Sequence, residues 1–250
     1  MKILIASTPA TGHLNPLLAI GRILIAEGHE IVGLSGSALR ERIEGIGAEF
    51  RSLPAGADFD LGDIASVVPE LKHITPGPEW LRVAIERLFV DTIPAQHKGL
   101  QQVLRDFPAD VIIGDDMIFG VLPMLLGPRS KRPPIVLCGT SILHWRREDE
   151  APHFAGLPPA TTQAQLKEYA AISQEHDRVV NQPLAHRLNR SLKGWGVVDD
   201  SVRRRRRTCR CLSAVDGSEF RVSTRHPALG AFHRRPSDHS ESSPAPGLGR

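Results

Sequence analysis

Ile3-Leu4-Ile5-Ala6-Ser7-Thr8-Pro9-Ala10-Thr11-Gly12-His13-Leu14-Asn15-Pro16 joins a short apolar run to the start of a helical pattern. Residues 2–6 have the length and continuous apolarity of a strand buried on both faces. Leu17, Leu18, Ile20, Leu24 and Ile25 then recur at helical spacing until Gly28. Asn15 is the expected N-cap of that helix, with Pro16 in its first turn. A strand, a turn and a helix N-terminus in that order place His13 at the carboxyl end of the first strand. In open α/β sheets ligands bind along that edge. A histidine titrates near neutrality, so His13 is a candidate proton acceptor.

The same grammar continues downstream. Residues 30–34 read as a second strand, residues 38–46 as a helix closed by Gly47, and residues 48–53 as a third strand. This βαβαβ opening predicts a doubly wound parallel sheet of class α/β. Residues 54–78 are loop-rich, with Gly56, Gly62, Pro69, Pro76, Gly77 and Pro78. Helical sequence is expected over residues 79–105, interrupted near Pro94. Asp110-Val111-Ile112-Ile113-Gly114 reads as a fourth strand, with Asp115 and Asp116 just past its end, and a short apolar helix is expected over residues 119–126. Residues 135–138 read as a fifth strand whose exit loop is Gly139-Thr140-Ser141, and residues 161–192 as mostly helical, broken near Pro183.

Composition bounds the class. The chain has 250 residues, 41% of them hydrophobic and 24% charged, which is enough apolar material for a sizeable core. Three cysteines, Cys138, Cys209 and Cys211, are too few for a disulfide scaffold and point to a reducing, cytoplasmic setting. Cys209-x-Cys211 lacks a second ligand pair for zinc. No apolar run reaches transmembrane length, and the N-terminal run is too short for a signal peptide.

The net charge of +3 hides an asymmetry. Eleven arginines, no lysine and four acids give residues 201–250 a charge of +7 and leave −4 on the rest. Arg203 to Arg207 are consecutive, and beyond them Ser, Pro, His, Gly and Arg follow without apolar periodicity. Such a segment buries too little surface to offset its chain entropy, so a disordered tail is expected from residue 201. The arginine run has no interleaved aromatic residues for base stacking, so a nucleic-acid partner ranks below a tail without function. The break at Asp199-Asp200 is also what a shifted reading frame in GC-rich DNA, or a truncated gene, produces.

Several chemistries lack their residues. There is no G-x-S-x-G elbow, no H-E-x-x-H and no G-x-x-x-x-G-K-[ST]. The first turn carries one glycine and a bulky imidazole where a dinucleotide fingerprint needs G-x-G-x-x-G, so a nicotinamide cofactor is not expected. What remains is geometric. In the strand order 3-2-1-4-5, strand four lies beside strand one at about 4.8 Å. The Asp115/Asp116 turn then emerges next to His13. A carboxylate there would hold the imidazole in one tautomer and steady its protonated form. Asp115 and Asp116 could instead cap the helix before Phe119. Trp80, Phe89, Met117, Ile118, Phe119, Leu143 and Trp145 could line an apolar pocket, although such residues are more often core.

Pro9-Ala10-Thr11-Gly12-His13-Leu14-Asn15-Pro16, with Glu27-Gly28-His29-Glu30-Ile31 after it, resembles the start of bacterial UDP-glycosyltransferases. These belong to the natural-product-modifying branch of glycosyltransferase family 1 and have the GT-B fold. Residues 109–115 and 136–141 resemble further segments of that family. The resemblance covers residues 1–200, the Rossmann-like acceptor-binding half. It implies that His13 is the catalytic base and Asp115 its partner, with Asp116 the alternative. Met117 and Ser141 both follow strand ends, and with Gly12 they are the residues expected against a small lipophilic acceptor. The implied reaction is an inverting transfer of a hexose from a nucleotide sugar to an acceptor hydroxyl, without metal. The nucleotide sugar serves as co-substrate, held by a second domain whose glycine-rich motif residues 201–250 do not match. The alternative is a non-catalytic acceptor-binding remnant, or one subunit of a split enzyme.

Overall fold

The computed structural model describes residues 1–141, 147–152 and 155–195. The expected Leu143 and Trp145 and the 201–250 tail lie outside the described residues. Five strands, β1 (Lys2–Ala6), β2 (Glu30–Ser35), β3 (Glu49–Ser52), β4 (Val111–Asp115) and β5 (Ile135–Cys138), form one sheet. All pairings are parallel and the order is β3-β2-β1-β4-β5, the doubly wound order expected from the sequence.

Alternation along the strands makes two cores. Leu4 and Ala6 of β1 point with Val32, Leu34 and Ile112 to one face. There they meet Leu100, Val103 and Phe107, on and just after α5 (Ile93–Asp106). Ile3 and Ile5 point with Ile31, Phe50 and Ile113 to the other face, against Leu14, Leu17 and Leu18 of α1 (Thr11–Ala26) and Ile43 of α2 (Arg40–Glu44). A strand with helices on both sides must be apolar at every position, which explains the unbroken runs.

The helices differ from expectation at several ends. α1 starts at Thr11, with Ala10 as its N-cap and no side-chain cap, so Asn15 and Pro16 lie inside it. Pro16 has no N–H for the carbonyl four residues earlier, and the residue before proline disfavours helix. Burial of Leu14 and Leu17, both 0% exposed, outweighs those local costs. Gly28 and Gly47, both at positive φ, do end their helical segments. Residues 54–78 are not plain loop. They hold 3₁₀ turns at Leu61–Asp63 and Pro69–His73 and a short α3 (Ile64–Val67), which bury Val68 and Leu71.

The expected long helices are each interrupted by one π turn. α4 (Pro78–Ile85) passes through Glu86–Val90 before α5 begins at Ile93. α7 (Gln163–His176), capped by a reciprocal Thr162–Gln165 box, passes through Asp177–Asn181 into α8 (Gln182–Lys193). Pro94 and Pro183 fall in the first turn of the helix after each break, where the missing N–H costs little. Leu188 and Leu192 of α8 pack with Phe119, with Leu122 and Leu126 of α6 (Leu122–Leu126), and with Val90 and Ile93. Arg187 of α8 reaches Asp91 at 2.6 Å. Among the described residues no helix is long and apolar enough to cross a membrane.

Candidate active site

β1 and β4 pair through Ala6↔Gly114, so their exits leave the sheet side by side. The exit of β1 is tightly turned. The Thr8 carbonyl accepts from the Ala10 N–H at 2.6 Å and from the Ser7 hydroxyl at 3.0 Å. This fixes Thr8 and launches α1, whose third residue is His13. His13 therefore sits in the first helical turn rather than in the preceding loop.

Asp115, the last residue of β4, is 0% exposed. Burying a carboxylate is costly unless donors surround it. Its Oδ2 accepts the Thr8 N–H at 2.6 Å. Its Oδ1 accepts the Thr8 hydroxyl at 3.1 Å and the Met117 N–H at 2.8 Å. The same Oδ1 lies 3.2 Å from His13 Nδ1. The expected meeting of His13 and Asp115 is thus present, across 102 residues of chain.

Asp116 takes a different part. Its Oδ1 is 4.0 Å from His13 Nδ1, beyond a direct hydrogen bond. It accepts instead from the Thr140 N–H at 3.1 Å and the Thr140 hydroxyl at 2.8 Å. Burial pushes the Asp116 carboxyl up, but bonds from Thr140 and Ser141 outweigh it and hold the group below its ordinary value. For His13, the Asp115 hydrogen bond raises the pKa and burial opposes it. The charges of Asp115 and Asp116 add to the rise, and the net direction is up. The ring remains reachable, with its side chain 21% exposed.

Neither aspartate caps the helix that follows. The 3₁₀ turn Phe119–Val121 has Ile118 as its N-cap, and Asp115 closes a local turn onto Met117 instead. Ser141 stands beside Asp116. Met117 is half-buried against the cluster that contains Phe119 and Leu188. Gly12 is exposed, and a Cβ added there would meet nothing within 4 Å. Ile118 and Phe119 are buried core rather than pocket wall, while Trp80 and Phe89 pack partly buried beside Phe59 and Leu88.

Sequence reasoning missed Thr8 and passed over Thr140 in favour of its neighbour. The available signal was topological. β1 and β5 flank β4, so hydroxyl residues just beyond those two strands face the aspartates that end β4. His13, Asp115 and Asp116 are the metal-ligand-type cluster among the described residues, with one atom from each lying within 4.8 Å of the others. Both Asp115 oxygens already accept N–H or O–H donors, which suits a hydrogen-bonded site better than coordination. The arrangement presents a histidine anchored through Nδ1, its side chain partly exposed, at the ligand-binding edge of a doubly wound sheet.

No family model matches the chain. It is 30% identical over 185 residues to 4'-demethylrebeccamycin synthase of Lentzea aerocolonigenes, covering 73% of this chain and 42% of that protein. It is 33% identical over 203 residues to UDP-glycosyltransferase 2 of Phaeomoniella chlamydospora, covering 78% and 44%. Among solved structures, the glycosyltransferase of kitacinnamycin aligns at 16% identity and a TM-score of 0.48, over 80% of this chain and 42% of its own. The calicheamicin glycosyltransferase aligns at 18% identity and a TM-score of 0.41, over 70% and 42%. The five-stranded parallel sheet with helices on both faces is Rossmann-like. The chain is thus similar over most of its length to curated UDP-glycosyltransferases, and it spans less than half the length of the relatives it matches.

Proposed function

We propose that residues 1–200 form the acceptor-binding half of an inverting hexosyltransferase, with His13 as its general base. The 3.2 Å approach of His13 Nδ1 to the buried Asp115 carboxylate carries this reading. Nδ1 keeps its proton toward Asp115, so Nε2 holds the free lone pair. An acceptor hydroxyl gives its proton to Nε2 as its oxygen bonds to the anomeric carbon of a nucleotide sugar. The bond from that carbon to the diphosphate breaks on the opposite face, and its electron pair leaves with the nucleoside diphosphate. Asp115 steadies the imidazolium that results. The donor is a co-substrate and no metal takes part. Gly12, Met117 and Ser141 border the acceptor, a small lipophilic hydroxyl compound. The relatives named UDP-glycosyltransferase support a uridine nucleotide, and the scarcity of cysteine supports a cytoplasmic setting.

A second reading is favoured by coverage, since the chain aligns with 42–44% of these relatives. In it residues 1–200 bind the acceptor, and transfer needs a donor-binding part that these residues do not include. The test is turnover of UDP- and dTDP-sugars with phenolic and macrolide acceptors, by the chain alone and with the donor half of a relative added. Transfer that is lost in His13→Ala supports the base assignment, and equal transfer by both overturns it. Transfer only after the donor half is added selects the second reading.

A further inference from the structure

The hydrogen bonds around His13 involve a residue that the two-residue base does not need. Thr140 Oγ1 lies 2.8 Å from His13 Nδ1, closer than the Asp115 oxygen at 3.2 Å. The same Oγ1 lies 2.8 Å from Asp116 Oδ1, which also receives the Thr140 backbone N–H at 3.1 Å. We infer that Thr140 is a positioning residue for His13, its hydroxyl linking Asp116 to Nδ1 and setting the tautomer that leaves Nε2 free.

The number of protons available fixes the direction of these bonds. A threonine hydroxyl has one proton and two lone pairs, and an ionised carboxylate only accepts. Thr140 therefore gives its proton to Asp116, the stronger acceptor. A lone pair of Oγ1 is then left facing Nδ1, and that nitrogen must be the donor. Asp115 Oδ1, another acceptor, faces the same nitrogen and requires the same assignment. In the opposite tautomer the Nδ1 lone pair would face a carboxylate oxygen and a hydroxyl lone pair together. The assignment follows from the heavy-atom pattern, since protons are placed by such networks.

The two carboxylates then have separate duties. Asp115 touches the ring and stabilises its charge. Asp116 is too far to bond to Nδ1 and acts through the Thr140 hydroxyl. Thr140 is anchored at both its backbone N–H and its side chain, so its Oγ1 is held rather than free to rotate. Together β4 and the β5 exit clamp the imidazole, while the β1 exit clamps Asp115 through Thr8.

The inference rests on His13 being the base, but its test reads the ring itself. Nitrogen-15 spectra of the imidazoles in the full chain report the ratio of Nδ1–H to Nε2–H in neutral His13. We expect Nδ1–H to dominate in the wild type and the ratio to fall about fivefold in Thr140→Val, the worth of one hydrogen bond. Thr140→Ser should restore it. Asp116→Ala should lower the ratio in the wild-type background and have no further effect in Thr140→Val. A wild-type ratio in a folded Thr140→Val overturns the inference, as does failure of serine to restore it. So does an equal effect of Asp116→Ala in both backgrounds, with Thr140→Ala as the hydroxyl-free background if the valine variant does not fold. Absence of glycosyl transfer from every donor would count against the proposed function and leave the tautomer measurement intact.

Discussion

His13 and His97 are one residue type in two regions whose electrostatics run in opposite directions. At the sheet rim, His13 faces two carboxylates, and the Asp115 bond raises its pKa against the effect of burial. In α5, burial lowers the pKa of His97, and the Gly120 carbonyl, at 3.0 Å from Nδ1, only partly offsets it. The edge of Trp195 closes over that ring at 4.6 Å between centroids. His13 is partly open and belongs to a network that can take up a proton. His97 is walled in by backbone and an aromatic ring, where a charge has no counter-ion among its described contacts. A titratable side chain at a ligand-binding edge beside acids is a candidate for chemistry, whereas one sealed between helices serves packing.

The largest effect should come from the rim. His13→Ala should reduce glycosyl transfer by about 10²- to 10⁴-fold, the range for loss of a positioned base, with the unfolding midpoint little changed. Comparable losses of activity from His97→Gln, checked in the same assay, would break the contrast.

The packing region should answer in stability instead. A Cβ on Gly120 would lie 2.4 Å from Gln96 Cβ and 2.8 Å from the Gln96 carbonyl carbon and the His97 nitrogen. Backbone atoms cannot step aside, so Gly120→Ala should cost about 3 kcal/mol by denaturant titration.

Asp115→Asn sharpens the comparison at the charge itself. The neutral amide removes the largest cause of the His13 rise, so the His13 pKa should fall. With His13 as the proposed base, neutral imidazole is the active form, so the acid limb of the transfer rate should move to lower pH as activity drops.

The pH dependence of stability should separate the two rings by sign. The raised pKa of His13 gives stability that is full below the ordinary histidine value and fades as pH rises through its folded value. The lowered pKa of His97 gives stability that is present above the ordinary value and fades as pH falls through its folded value. Urea midpoints between pH 5 and 8 should show a smaller acid-side decline in His97→Gln, His176 supplying part of the remainder, and keep the full decline in His13→Gln. The smallest effect is expected at Gly12, where an added Cβ meets open space. Gly12→Ala should stay within about 0.5 kcal/mol of wild type, and any loss in acceptor affinity would then report the ligand rather than the fold.

Much of this was readable from the chain. Unbroken apolar runs of four or five residues, each followed by a helical pattern and a glycine, specify parallel strands in alternation with helices. Strand order then brings residue 13 to residue 115. Helix starts were less legible. Asn15-Pro16 carries a strong local start signal, yet burial of Leu14, Leu17 and Leu18 draws the helix back to Thr11. The π turns at Glu86–Val90 and Asp177–Asn181 had no sequence mark beyond the prolines after them, because an extra residue in a turn is imposed by the packing of both flanking helices.

Local pattern, then, accounts for the layered α/β architecture, since hydrophobic period is a property of nearby residues, and with the usual order of a doubly wound sheet it puts a histidine and an acid at neighbouring strand exits. The identity of the acid that touches the ring depended on the folded chain. Asp115 and Asp116 are adjacent and chemically alike, and only the pleat of β4 sends one inward to Thr8 and His13 and the other across to the β5 exit. The role of Thr140 arises the same way. Its hydroxyl matters because two loops more than a hundred residues apart converge within one hydrogen bond, a distance that no local pattern encodes.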